Sequence, residues 1–337
     1  MAKILRLALW PLALLYGGIT RLRNVFFDYG IFPVYAPPVF SVGVGNLAVG
    51  GTGKTPFISF LIAHFSGKKI AVLSRGYGRK TKGFREVEAD ESCETVGDEI
   101  FMLYERHQSQ ALFFVCEDRT LGVKEILKRY PQTEVILFDD VFQHRHVLPA
   151  FQLVLSTHAN PYFQDFMLPM GKLRESRKGI RRADVLIYTK CPENVDYECL
   201  KARSKKGIPV FFSVQELGGT ENAFGKTLQR GTKANVLSAL ADNVQFAESV
   251  NSDYEIEQVY AFSDHHAYTL ADIEKMDFSL PTITSEKDFV KIKALLNDTQ
   301  LAQVFVRKIK SKIVSDEDRF YSVLDKAFDD FQSRFNV

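Results

Sequence analysis

Short apolar runs alternate with charged segments of helical spacing along the first part of this chain. "VFSVGVGN" (39–46), "KIAVLSR" (69–75), "ALFFVC" (111–116), "EVILFDD" (134–140), "FQLVLS" (151–156) and "DVLIYT" (184–189) read as buried strands. Between them, "PFISFLIAHF" (56–65), "GDEIFMLYERHQ" (97–108) and "EDRTLGVKEILKRY" (117–130) read as helices. The second of these places Ile100, Leu103 and Tyr104 on one side. Such alternation predicts a mostly parallel sheet covered by helices on both faces. Past Lys190 the pattern restarts. "IPVFFSVQEL" (208–217), "KANVLSAL" (233–240), "YEIEQVYAF" (254–262), "PTITS" (281–285) and "LAQVFVRKI" (301–309) read as strands with helices between them, and Gly218-Gly219 is expected to break the first. "DEDRFYSVLDKAFDDFQSRF" (316–335) predicts a long amphipathic helix. The expected fold is α/β in two units, a larger one over residues 31–205 and a smaller one over residues 206–337 that includes linker strands and the last helix.

Residues 1–30 do not share this rhythm. Leu7 to Ile19 carries no charge, a run of 13 residues, against the ~20 that a bilayer span needs. Lys3 and Arg6 ahead of it imitate a signal peptide, but Gly17-Gly18-Ile19 is a poor cleavage site and Arg21 and Arg23 follow at once. The segment reads as a membrane-associated helix lying on the cytoplasmic face, basic at both ends and bent at Pro11. The alternative is a buried N-terminal helix packed on the domain.

Composition adds limits. The chain has 337 residues and a formal net charge of +2, which gives no ground for a nucleic-acid partner. Its four cysteines form no C-x-x-C pair, so they read as reduced cytosolic thiols rather than zinc or redox groups. No obligate protein partner is evident.

The chemistry centres on "GNLAVGGTGKTPF" (45–57). Gly53-Lys54-Thr55 is the tail of a phosphate-binding loop, although Ala48 stands where the usual pattern has its first glycine. Gly50, Gly51 and Gly53 supply the backbone freedom. Val49, Gly50, Gly51, Thr52, Gly53, Lys54 and Thr55 form the expected ATP cradle, with Lys54 reaching the β- and γ-phosphates and Thr55 holding Mg²⁺. Such a loop wants an acid at the end of a nearby strand, and "EVILFDD" provides Asp139 and Asp140 for the metal. A signalling GTPase is excluded because Pro192 follows "YTKC" where a guanine-reading Asp belongs. ATPases with a K-G-G-x-G-K-T loop are excluded by Val49.

Seven blocks then occur in order: "GNLAVGGTGKTPF", "LSRGYGRKTKG", "VGDE", "FDDVFQHR", "LPMGKLRES", "VLIYTK" and "FSDHHAY". Through them, roughly over residues 1 to 268, the chain resembles the tetraacyldisaccharide 4'-kinase (lipid A 4'-kinase) family. The resemblance implies a kinase on the cytoplasmic face of the inner membrane. It would transfer the γ-phosphoryl of ATP, with Mg²⁺, to the 4'-hydroxyl of a lipid-linked disaccharide. It also implies that Asp98 is catalytic and paired with His265, and that Glu99 supports the metal. Read from the residues alone, Asp98 could equally be a helix N-cap. A D-H-H triplet such as Asp264-His265-His266 also occurs in some phosphoesterases, and adjacent side chains on a strand point apart, so His266 is read as structural. Arg75, Gln143 and Glu175 lie in matching blocks and are expected at the substrate or metal. The basic clusters Arg75, Arg79, Lys80, Lys82, Arg85 and Lys172, Arg174, Arg177, Lys178, Arg181, Arg182 suit an anionic lipid surface or plain solvated charge. One departure from the family is "LSALADNVQF" (237–246), which lacks the Pro and Arg of a "GIANPERF"-like run. Two other readings fit the loop: a P-loop ATPase or kinase for another substrate, and a membrane-bound nucleotide-dependent switch.

Overall fold

The computed structural model describes residues 8–192 and 197–335. The strands assemble into one 12-stranded sheet. Along the chain they are β1 (Phe40–Asn46), β2 (Ile70–Ser74), β3 (Arg85–Glu86), β4 (Ala111–Val115), β5 (Val135–Asp139), β6 (Phe151–Thr157), β7 (Val185–Thr189), β8 (Val210–Asn222), β9 (Lys233–Ser238), β10 (Glu255–Ala261), β11 (Thr282–Ser285) and β12 (Val304–Ile313). Their order across the sheet is β10-β9-β11-β12-β8-β7-β6-β1-β5-β2-β4-β3. Pairing is parallel throughout except for β12 on β8 and the short β3 on β4. Among the described residues, seven helices of two turns or more flank it: α1 (Trp10–Asp28), α2 (Lys54–His64), α3 (Asp98–His107), α4 (Arg119–Arg129), α5 (Asn243–Asn251), α6 (Glu286–Ile292) and α7 (Glu317–Phe335).

The apolar runs form strands because both faces of the sheet are covered. In β5, Val135 and Leu137 join a core with Phe57, Leu61, Ile100 and Leu103 of α2 and α3. The alternate residues Ile136 and Phe138 join a second core with Val123 and Ile126 of α4. Chain order groups α7 with residues 206–337, yet it packs on the first core, where Phe320 and Leu324 are fully buried beside Phe57 and Phe211.

One strand runs further than expected. Gly218-Gly219 does not end β8, which runs on to Asn222. The facing strand β12 shifts register between Arg307 and Ile309, and that bulge absorbs the irregularity. A Cβ on Gly218 would press on Lys308 at 3.3 Å, so a glycine suits this crossing. The two units also share a strand. Residues 210–212 pair with β7, and Ser213–Asn222 pair with β12.

α1 is not bent by Pro11, which lies in its first turn, where a missing N–H costs little. Ala13 and Phe27 are buried, but its exposed face is apolar too, the reverse of an ordinary surface helix. Trp10, Leu12, Leu14, Leu15, Ile19 and Leu22 are exposed, while Tyr16, Arg23 and Asn24 face the protein. Lys3 and Arg6, the basic residues expected before it, lie outside the described residues. Among the described residues, no helix is long and apolar enough to cross a membrane.

Candidate active site

The phosphate loop joins the carboxyl end of β1 to α2. Gly53 takes φ 85°, the left-handed conformation that caps α2. Pro56 follows in the first helical turn. The loop is fastened on both sides. Asn46 Nδ2 donates to Thr52 Oγ1 at 2.8 Å, and Thr189 Oγ1, at the end of β7, donates to the Thr52 carbonyl at 2.7 Å. Val49 N–H donates to the Lys172 carbonyl at 2.8 Å. A recess opens on the loop, lined by residues 47–52 with Thr157, Asn160 and Lys172. Central strands, an N-terminal helix end and free backbone amides together make an anion site.

β5 delivers the acid doublet beside this loop. Asp139 is buried; its Oδ2 accepts from Ser74 Oγ at 3.1 Å, while Oδ1 has no hydrogen-bond partner. Burial, reinforced by Glu99, pushes its carboxyl up to about 7. Asp140 takes φ 51°, turning its carboxylate toward Lys54 Nζ at 4.0 Å. Arg174 grips the same carboxylate with two bonds of 2.9 and 2.7 Å. Burial opposes the charge on Asp140, but Arg174 and Lys54 outweigh it and hold the carboxyl below the usual range. Glu99 is raised by burial, against the pull of Lys54 and Lys287. Among the described residues, no three His, Cys, Asp or Glu side chains form a ready metal cage. The orphaned oxygen of Asp139 nevertheless fits a hard cation that brings its own phosphate and water ligands. Thr55 lies in the first turn of α2.

Glu175 and Gln143 occupy a different place from the one expected. Glu175 is fully buried, and its carboxylate is taken by Arg182 at 2.8 and 2.9 Å, Gln143 Nε2 at 2.9 Å and Asn24 Nδ2 at 3.0 Å. No oxygen is left for substrate or metal. Gln143 Nε2 also donates to the Asn46 carbonyl at 2.8 Å. Both residues brace the strand that carries the phosphate loop.

The two halves meet at Asp98. Gly97, not Asp98, caps α3. With φ 98°, Gly97 lies so close to the 76–77 loop that a Cβ would sit 2.9 Å from the Tyr77 carbonyl. Asp98 is buried and faces His265 Nδ1 at 3.1 Å, Lys291 Nζ at 3.3 Å and Lys287 Nζ at 3.6 Å. Burial alone would raise its carboxyl; the two lysines and His265 reverse that and hold it low. His265 lies in a turn after β10 with φ 60°, not on a strand. Its Nε2 is 3.3 Å from Lys287 Nζ. An ammonium can only donate, so in the pairing with Lys287 the acceptor is Nε2, and Nδ1 donates to Asp98. His266 instead bonds Asp272 at 3.2 Å and stacks on Phe262.

Three of the four non-glycine residues with positive φ among the described ones, Asp140, Lys190 and His265, stand around this site, where backbone strain commonly concentrates. The basic clusters separate into paired and unpaired members. Arg79 is tied to Glu117, Lys80 to Glu94 and Arg85 to Glu91, whereas Arg75 is exposed and has no carboxylate partner among the described residues. Sequence reasoning missed Lys287 and Lys291, one turn apart on α6; an i, i+4 lysine pair is unremarkable until a carboxylate is found opposite. It counted Arg174 only as one charge in a basic run.

Known proteins of similar sequence and fold belong to one family. The family described as Tetraacyldisaccharide-1-P 4'-kinase matches residues 5–329. Tetraacyldisaccharide 4'-kinase of Cytophaga hutchinsonii is 39% identical over 311 residues, covering 89% of each chain. That of Flavobacterium psychrophilum is 37% identical over 333 residues, covering 94% of this chain and 95% of the other. A solved structure of LpxK from Aquifex aeolicus, an "apo" form in complex with ATP, superposes with a TM-score of 0.80 at 29% identity, covering 96% of this chain and 99% of that one.

Proposed function

The chain belongs to the tetraacyldisaccharide-1-P 4'-kinase family, and from that premise we infer how its residues carry out the reaction. It is an ATP-dependent kinase that phosphorylates the 4'-hydroxyl of a tetraacylated glucosamine disaccharide 1-phosphate, a step of lipid A synthesis. The observation that carries the mechanism is the pairing of Asp98 with His265 next to the phosphate loop, with Glu99 within electrostatic reach of Lys54.

The loop amides and Lys54 hold the phosphates in line for transfer. Thr55, Asp139 and Asp140, supported by Glu99, would hold Mg²⁺, which when bound neutralises charge on the phosphate oxygens. Asp98 stays ionised and accepts the proton of the incoming hydroxyl, while His265 fixes the orientation of its carboxylate. A carboxylate held this low is a weak base, which suits a transfer in which positioning and charge neutralisation dominate. Arg75, exposed and unpaired, is the candidate contact for the 1-phosphate of the acceptor. The exposed apolar face of α1 supports seating on the cytoplasmic face of the inner membrane. Each leucine-sized side chain fully buried in lipid contributes about 1.5–3 kcal/mol, and Arg21 is exposed on the same helix for anionic headgroups.

The test is incubation with Mg²⁺, ATP and the tetraacylated disaccharide 1-phosphate. A new phosphomonoester at the 4' position is expected. Absence of product would sink the assignment, and phosphorylation of a soluble acceptor alone would redirect it to another substrate.

A further inference from the structure

A helix packed on a globular domain ordinarily turns an apolar stripe inward; the inner face of α1 buries only Ala13 and Phe27 and sends hydrogen-bond donors inward beside them. Tyr16 Oη donates to the Arg174 carbonyl at 3.0 Å, Arg23 to the Gln143 carbonyl at 3.1 Å and Asn24 to Glu175 at 3.0 Å. Of these three acceptor residues, Arg174 and Gln143 bond Asn46, which fastens the phosphate loop, and Glu175 holds Gln143. Arg174 N–H donates to the Leu47 carbonyl at 2.7 Å. Its guanidinium grips Asp140 and also bonds the Asn46 carbonyl at 3.1 Å. Gln143 bonds Asn46, and Asn46 bonds Thr52. An unbroken chain of hydrogen bonds thus runs from α1 through residues 174–175 to the loop and to a metal-side carboxylate.

We propose that α1 is a positioning element of the ATP site, in which Tyr16 and Asn24 hold the Arg174–Glu175 segment that in turn fixes Asp140 and the phosphate loop. This rests on the kinase reading above. A helix that served only as a tether would need its outer apolar face and nothing on the inner one. Here both faces are committed, the outer to an apolar surrounding and the inner to the phosphate site. Tyr16 and Asn24 touch no reacting atom; they act through Arg174 and Glu175. Glu175 is the sensitive point, because a fully buried carboxylate that loses one of its donors must rearrange.

The experiment compares wild type, Tyr16→Phe, Asn24→Leu and the double variant in the full-length protein. Mg²⁺-ATP affinity is measured by calorimetry in non-ionic detergent without lipid acceptor, alongside flotation with vesicles containing anionic lipid. The double variant is expected to bind Mg²⁺-ATP about tenfold more weakly, the loss of a buried hydrogen bond to a charged group. Flotation should be unchanged. With acceptor present, kcat falls at constant KM for the lipid, and Asn24→Gln, which keeps the amide donor, restores most of it. Unchanged ATP affinity in a double variant that melts like wild type overturns the proposal. If Asn24→Leu does not fold, Tyr16→Phe decides the matter, with a roughly threefold loss expected and none overturning it. Wild type that binds ATP but phosphorylates no lipid would defeat the kinase reading, while the affinity comparison would still judge this one.

Discussion

Replacing Lys291 by methionine keeps the length of the side chain and removes one of the two ammonium groups facing Asp98. Its Nζ lies 3.3 Å from Oδ2, with both side chains about nine-tenths buried. At that distance the gross attraction is about 5 kcal/mol at an effective dielectric of ~20. Most of this offsets the cost of burying the lysine, and Lys287 and His265 remain. A net loss of about 2–3 kcal/mol follows, below the ~3–5 kcal/mol of an ion pair broken with no substitute. If that loss falls on the transition state, kcat drops roughly 30- to 150-fold. KM for ATP stays within about twofold, because the phosphate loop is not touched. The charge-restoring Lys291→Arg should recover part of the rate. Stability adds a second readout. The cations hold Asp98 below its ordinary value, so its pairing stabilises the fold above about pH 4 and is lost as pH falls through the lower folded value. The stability gap between wild type and Lys291→Met should therefore be full at neutral pH and close in acid. Initial rates at saturating lipid, with melting curves stepped from pH 7 down the acid limb to the lowest pH at which the protein folds, measure both. A kcat within threefold of wild type, or a stability gap independent of pH, would refute the reasoning.

Lys54→Ala should lower kcat by at least ~10²-fold, the usual loss when one preorganised charge is removed from a transferring group, measured as phosphorylated product at saturating ATP. Asp139→Asn should abolish Mg²⁺-dependent turnover yet raise the melting temperature of the ligand-free protein at pH 8. Its carboxyl is pushed up to about 7 by burial, so its stabilising contribution is full below about pH 4 and gone above 7, and the amide escapes that penalty; an unchanged or lower melting temperature would count against the burial account. The triple change Leu15→Ser, Ile19→Ser, Leu22→Ser on the outer face of α1 should shift the protein from vesicles to the soluble fraction in flotation while leaving Mg²⁺-ATP affinity in detergent within about twofold.

The strands and helices were legible because apolar periodicity follows directly from a sheet covered on both faces, as the alternation of Val135, Ile136, Leu137 and Phe138 between two cores makes plain. The phosphate loop was legible from its glycines, since few other tasks need that spacing before Lys54. The partnership of Asp98 with His265 rested on family resemblance; 167 positions apart, they are joined only by the tertiary fold. Lys287 and Lys291 left no mark because charged residues at helical spacing suit any solvated face. Glu175 was misplaced for the opposite reason: a carboxylate beside a phosphate site invites a metal role, and only its four donors show that it is spent on scaffolding. The orientation of α1 was hidden as well, since composition does not say which side of a mixed helix turns inward.

β8 leaves the larger ladder and enters the smaller one between residues 212 and 213. The halves are therefore not two bodies on a flexible tether. The chain also crosses back after β12, where Val314 N–H donates to the Phe212 carbonyl and α7 goes on to pack against the larger core. His265, Lys287 and Lys291 all belong to the smaller half, so the sheet that runs through both halves is what sets their distance from Asp98.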